Sequence, residues 1–316
     1  MQPRVLVLGS ILLFASFSWA DNSDHESKAR ARKGTLEVLL HATGESPPGL
    51  SGYLCATKNE IVFGAGYGSI WSMGFDGRNP QEWKTAPQGG LFWCHDNGIY
   101  VTHGNELMAT SKTSSPVVLF EAPEHPVGLE FDDKHFYFGA INTRGLFRAP
   151  RAGGIPQQIA QASTVIAIRL DGEQLFLADY YGKKVSLIEK EGGKAKVLAR
   201  KLATPVGLAV GKKTLLVHLE DTMTLDLYDK RSGKKLRQIG GFANANDSLS
   251  FRDGYYYWFS WDDEYSTMSR VAEDGGQVEI LVEGMHRPTG MAFVDDAILI
   301  GDALDSAILK WRERSK

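Results

Sequence analysis

Cysteine is nearly absent from this chain of 316 residues: only Cys55 and Cys94 occur. That excludes a disulfide-dense scaffold and any zinc site built on paired CxxC spacing. It leaves two readings, a single bridge in an oxidising compartment or two buried thiols, and geometry decides between them. Helical periodicity is missing beyond the first 20 residues, which argues against bundles and layered α/β folds. A basic tract is missing as well. Lys and Arg number 35 against 38 Asp and Glu, a net charge of -3 that offers little to nucleic acid or anionic lipid. No GxSxG elbow, P-loop, dinucleotide fingerprint, HxH or HExxH occurs, so the common nucleophile, phosphate and local metal motifs are all excluded.

Long apolar runs are confined to the amino terminus. The stretch "MQPRVLVLGSILLFASFSWA" carries one early cation, Arg4, then an apolar run from Val5 to Phe17 and small residues at Ser18 and Ala20. It reads as a secretory signal peptide, residues 1–20, cleaved before Asp21, and is too short for the roughly 20 apolar residues of a membrane span. Export to a periplasm or the medium is expected, with no membrane span in the remainder. The mixed-charge segment 21–33 has the composition of a flexible lead-in, and 34–316 is expected to form one domain.

What the sequence has in abundance is short β-rich runs separated by Asp-Gly, Gly-Gly and Ser-Gly turns, recurring about every 40 residues. The clearest copies begin at "HPVGLEFDD", "STVIAIRLDG" and "TPVGLAV", with starts near Gly128, Ile166 and Gly207. Weaker starts lie near Gly52, Gly90, Ser248 and Gly290, making seven. A four-stranded unit of this length cannot bury both faces alone, so the units must stack, and radial stacking gives an all-β propeller. Seven blades are favoured, with six the alternative. The last copy supplies only three strands, ending at Trp311. Its fourth is expected from "GTLEVLLHATG", with Thr35 to His41 pairing against Ala307 to Trp311 and closing the ring. In "YYYWFS", alternation puts Tyr255, Tyr257 and Phe259 on one side of a strand and Tyr256 and Trp258 on the other.

The turn-plus-strand stretches "HPVGLEFDD", "TPVGLAV" and "RPTGMAFVDD", followed by "FLAD", "LIGD" and "YYYWFSWDD", resemble the YWTD and NHL class of β-propeller repeats. The resemblance runs from about Gly34 to Trp311. It implies the fold and leaves function open, because these propellers include receptor modules, scaffolds, lactonases and lyases. YWTD domains typically have six blades, from which seven starts depart.

In such a propeller the loop leading into a blade and the loop between its second and third strands open on one face. His41, His103, His125, His218 and His286 would share that face with Asp179 and Asp302. His41, His103, His125, His286 and Asp302 are therefore the candidate metal ligands, for a divalent Ca or Zn that nothing firmly implies. The competing structural reading makes Asp179 and Asp302 acceptors for loop amides and makes a His before Pro a solvated turn residue. Aromatic and acidic loop residues Trp261, Asp262, Tyr265, Tyr180 and Tyr181 are the candidate ligand contacts, suited to a sugar or a cationic side chain. The function expected is non-catalytic binding of a protein, peptide or glycan by a soluble monomer, with a metal-assisted lyase or lactonase-like hydrolase as the alternative on the same face.

Overall fold

The computed structural model describes residues 28–42, 47, 49–66, 68–84, 86–87, 90–96, 98–240, 248–261 and 265–314. Their strands form seven antiparallel sheets arranged as the blades of a β-propeller. Blade one holds β3 (Leu50–Ala56), β4 (Ile61–Ala65), β5 (Ser69–Met73) and β6 (Gln81–Glu82). Blade two holds β7 (Phe92–His95), β8 (Gly98–His103), β9 (Glu106–Ser111) and β10 (Ser114–Glu121). Blade three holds β11 (Pro126–Phe131), β12 (His135–Ala140), β13 (Thr143–Pro150) and β14 (Gln157–Ala160). Blade four holds β15 (Val165–Asp171), β16 (Gln174–Asp179), β17 (Lys184–Glu189) and β18 (Lys196–Arg200). Blade five holds β19 (Pro205–Val210), β20 (Thr214–Leu219), β21 (Thr224–Asp229) and β22 (Lys235–Ile239). Blade six holds β23 (Ser250–Arg252), β24 (Tyr255–Ser260), β25 (Ser266–Ala272) and β26 (Glu279–Met285). Blade seven holds β27 (Pro288–Val294), β28 (Ala297–Asp302) and β29 (Ala307–Arg312), completed by β2 (Thr35–His41).

The core is divided by the repeat. Each strand presents alternate side chains to its two neighbouring blades, so seven apolar clusters fill seven junctions. Tyr257 and Phe259 of β24 pack with Ile298, Ile300 and Leu309 of blade seven, while Tyr256 and Trp258 of the same strand pack with Leu216 and Leu225 of blade five. The aromatic run is therefore core on both sides, as its alternation predicts.

Closure follows the expected register. Thr35 pairs with Arg312, Leu36 with Trp311 and His41 with Ala307, with one irregularity between Val38 and Leu40. The chain preceding β2 also contributes. β1 (Arg30–Ala31), inside the segment expected to be a flexible lead-in, adds a fifth strand to blade six against Val282 and Glu283. Arg32 and Lys33 then donate backbone hydrogen bonds to the Leu281 carbonyl.

That last contact is one instance of a recurrent one. The turn after a third strand tucks against the outer strand of the preceding blade: Gly154 donates to the Leu119 carbonyl and Gly193 to that of Ile159. At Gly233 the approach explains the residue type. Its φ is +72°, and a β-carbon there would overlap the Leu198 carbonyl oxygen. The first residue beyond the third strand also reaches back one blade, on the face opposite the candidate loops. Lys112 pairs with Glu60 at 3.4 Å, Arg151 donates to the Tyr100 hydroxyl at 2.6 Å, Lys190 pairs with Asp132 at 3.2 Å and Lys230 with Asp171 at 2.8 Å. In blades six and seven the polarity inverts: Glu273 accepts from the Thr214 amide at 3.1 Å, and Glu313 binds the buried Arg270 at 2.7 Å.

Two further links bind the ring. Cys55 of β3 and Cys94 of β7 form a disulfide between the first strands of blades one and two, which settles their state as a bridge. Near the axis, Arg169 of β15 reaches Glu130 of blade three at 3.2 Å and the Leu249 carbonyl beside blade six at 3.5 Å, passing blade five altogether.

Candidate functional site

Among the described residues, the loops leading into the blades and those joining second to third strands open on one face, called here the upper face. Asp179 and Asp302, each the last residue of a second strand, organise it. Asp179 accepts hydrogen bonds from the amides of Ser163, Thr164 and Gly182 at 3.0, 3.0 and 2.9 Å. Asp302 accepts from those of His286, Arg287 and Asp305 at 2.9, 2.9 and 3.4 Å. Both side chains are buried and tie the leading loop to the second loop of the same blade. Burial, reinforced by the neighbouring charge of Asp305, pushes the Asp302 carboxyl above the usual carboxylate range.

His286 is the histidine that this scaffold engages most. Its Nδ1 lies 2.5 Å from Oδ1 of Asp305, whose side chain is 1% exposed against 21% for the imidazole. The second oxygen of Asp305 is buried without a hydrogen-bond partner. His125, in the loop before β11, donates from Nδ1 to the carbonyl of Gly104 at 2.7 Å, which brings it to the loop that follows His103. His103 and His41 end their strands exposed. His218, expected on this face, is instead buried one position before the end of β20, facing the junction with blade six beside Leu249. Burial lowers its pKa to about 4. The candidate metal ligands are thus distributed among separate loops, and the Asp302 oxygens are taken up by backbone amides. Among the described residues, no three His, Cys, Asp or Glu side chains gather into a set able to hold a metal ion.

The aromatic candidates form two strips. Over blades six and seven, Trp261 donates from Nε1 to the Pro288 carbonyl at 3.0 Å, and the Arg287 guanidinium stands 5.5 Å from the indole centre. Tyr265 lies 5.7 Å from the His286 ring, with the Lys28 ammonium 5.9 Å from its own ring centre. Asp262 lies outside the described residues. Over blades four and five, Tyr180 and Tyr181 meet edge to face at 5.0 Å, and the Tyr180 hydroxyl donates to Glu220 at 3.0 Å. Burial and that carboxylate push the Tyr180 pKa up to about 12. Lys183 bridges to Asp221, which also accepts from the Thr204 hydroxyl at 2.7 Å. Arg287 and Lys28 escaped the sequence reading. Arg287 follows a candidate histidine directly and was visible in principle, whereas Lys28 gains its position only through the pairing of β1.

The second loops carry exposed apolar tips: Tyr181, within the second strip, at 52%, and Met223 and Leu304 beyond the strips, each at 48%. Three blades thus hold large apolar side chains out into solvent on one face.

No protein-family model matches the chain, and no curated protein matches it. Solved structures do. The WD40 repeats of RRP9 superpose with a TM-score of 0.66 at 12% identity, covering 92% of this chain and all of that one (100%). A computationally designed protein, Ika8, gives 0.63 at 15% identity over 87% of this chain and 99% of its own. BamB from Moraxella catarrhalis gives 0.58 at 11%, covering 83% and 85% of the two chains. A chain of the nidogen/laminin complex gives 0.52 at 19%, covering 65% and 85%. Likeness at these identities establishes the propeller fold and nothing finer.

Proposed function

We propose that this protein is an exported monomeric propeller of YWTD/NHL-like repeats that binds a protein, peptide or glycan on its upper face without turnover. The observation that carries the reading is the set of exposed apolar tips, Tyr181, Met223 and Leu304, on the same face as the Trp261–Arg287 and Tyr180–Tyr181 strips. Exposed apolar and aromatic groups set beside charged ones are a common feature of recognition surfaces. The signal-like amino terminus supports export, as does the Cys55–Cys94 bridge, which is stable in oxidising compartments.

One observation favours a second reading, a metal-assisted lyase or hydrolase using Zn or Ca: the buried Asp305 orients His286, the arrangement that fixes the tautomer of a ligating or proton-transferring imidazole. The two readings separate in one set of measurements. Tyr181→Ser with Met223→Ser, and Trp261→Ala, are screened against arrayed glycans and a displayed peptide library beside a lower-face control, Ile155→Ser. Binding weakened tenfold or more by the upper-face changes and untouched by the control supports recognition. Equal effects from the control would remove the upper face from the account. Metal content by mass spectrometry is measured on the same preparations and on His41→Ala with His286→Ala. Near-stoichiometric metal that vanishes in that double variant would put the enzyme reading first.

A further inference from the structure

The junction between blades three and four is incompletely filled. A cleft of about 310 Å³ opens there, walled by Ala160, Ala162, Leu177, Ala195 and Val197. Ser186 and Lys184 of β17 also line it, with the exposed Lys194 and with Asp179.

Strand register places a serine beside this space. Ser186 lies opposite Leu177 on β16 and Val197 on β18, in a row facing blade three. The equivalent position, opposite the residue two before the end of the second strand, carries Trp71, Met108, Phe147 and Leu309 in blades one, two, three and seven. Those side chains fill the corresponding space. Blade five has Asp226 there, paired with Lys235 at 2.7 Å and accepting from Tyr228 at 3.1 Å, and blade six has Ser269, buried opposite Trp258 with its hydroxyl 3.5 Å from that of Thr267. In blade four the position holds a small polar side chain, 3% exposed, whose hydroxyl has no hydrogen-bond partner. An unsatisfied buried hydroxyl costs folding free energy, and here it belongs to a residue that lines the cleft.

The donors around the cleft define what would complete it. Lys184 touches Asp179 at 3.4 Å, but the Asp179 oxygens already accept three backbone amides, so the lysine retains protons for another acceptor. Lys194 adds a second cation, and Ser186 supplies a hydroxyl proton. The remaining walls are mainly apolar, from Ala160, Ala162, Leu177, Ala195 and Val197, with Gln161 beside them. We propose that this cleft binds a small carboxylate carrying a short apolar body, with the carboxylate at Ser186 and Lys184 and the hydrocarbon against Ala160, Ala195 and Val197. The cleft volume lies at the lower end of the range for ligand pockets, which suits a body of a few carbons.

Butyrate is the probe, titrated into the full chain and followed by methyl resonances of Ala160, Ala195 and Val197, with butylamine as the cationic control. The expected result is saturable shifts with butyrate and none with butylamine. Ser186→Ala weakens butyrate binding at least tenfold while keeping or raising the melting temperature, because it deletes an unpartnered hydroxyl. Ser186→Leu, which restores the filled state of blade seven, abolishes the shifts. Absence of saturable shifts, unchanged affinity in Ser186→Ala, or butylamine binding as tightly as butyrate would each overturn the proposal.

Discussion

His218 is the residue whose environment has the clearest consequence in solution. It is 5% exposed, its Nδ1 has no partner, and burial lowers its pKa from 6.5 to about 4. The unfolded chain therefore takes up a proton that the native state refuses. Its neutral form contributes fully above pH 6.5, and stability is lost as pH falls towards 4, by roughly 3 kcal/mol if this group acts alone. Urea melts between pH 7 and 4 should show that slope, and His218→Leu should flatten it. An unchanged slope in the variant would assign the acid sensitivity elsewhere. Nothing in the sequence separates His218 from His103: each was expected at the end of a second strand, and a shift of one position along β20 turned one of them inward. Asp179 and Asp302 were legible as loop-capping acceptors because that role needs only a carboxylate at a strand end. The His286–Asp305 contact was not, since it depends on the conformation of a four-residue loop.

At the scale of the strand, alternation and turn chemistry carried far. The seven starts, the two-sided aromatic strand β24 and the pairing of β2 with β29 all follow from local pattern, because each blade repeats one solution of the same packing problem. β1 was hidden, since two residues flanked by charges have no pattern to read. Its partners are ionic and backbone groups: Arg30 and Arg32 with Glu283 at 2.6 and 3.2 Å, and Lys33 with Glu279 at 2.5 Å. These pairs are largely exposed and contribute little each. β2 is different, because Leu36, Leu39 and Leu40 pack into the clusters on either side of blade seven. A chain beginning at Ala42 should lose cooperative unfolding and expose the apolar edge of β29, whereas one beginning at Thr35 should fold with a small loss of stability. Urea melts of the two truncations check this, and a chain beginning at Ala42 that melts like the full chain would refute the closure.

For the molecule as a whole, the disulfide joins the blade with the shortest fourth strand to its neighbour. Blade one ends in the two-residue β6, and Cys55–Cys94 ties it to blade two across a sequence separation of 39. Loop-closure entropy for that span corresponds to about 4 kcal/mol. Reduction, or Cys55→Ala with Cys94→Ala, should lower stability by an amount of that order in urea melts with and without reductant, and coincident curves would show that the bridge is dispensable. The lower-face contacts that reach back one blade recur at six junctions and set blades two to seven each against its predecessor. The closing strand has one more consequence, and it concerns time. Lys33 and Trp311, joined by a hydrogen bond, are 278 positions apart, so the first residues of the domain wait for nearly the last before they find their partners. At ordinary synthesis rates that interval is roughly 15 to 55 s, during which blades one to six are made in turn and β2 has no partner strand. Such a chain stays open to holding factors until synthesis is complete. Once the two ends meet, opening the ring requires that same long-range pairing to break.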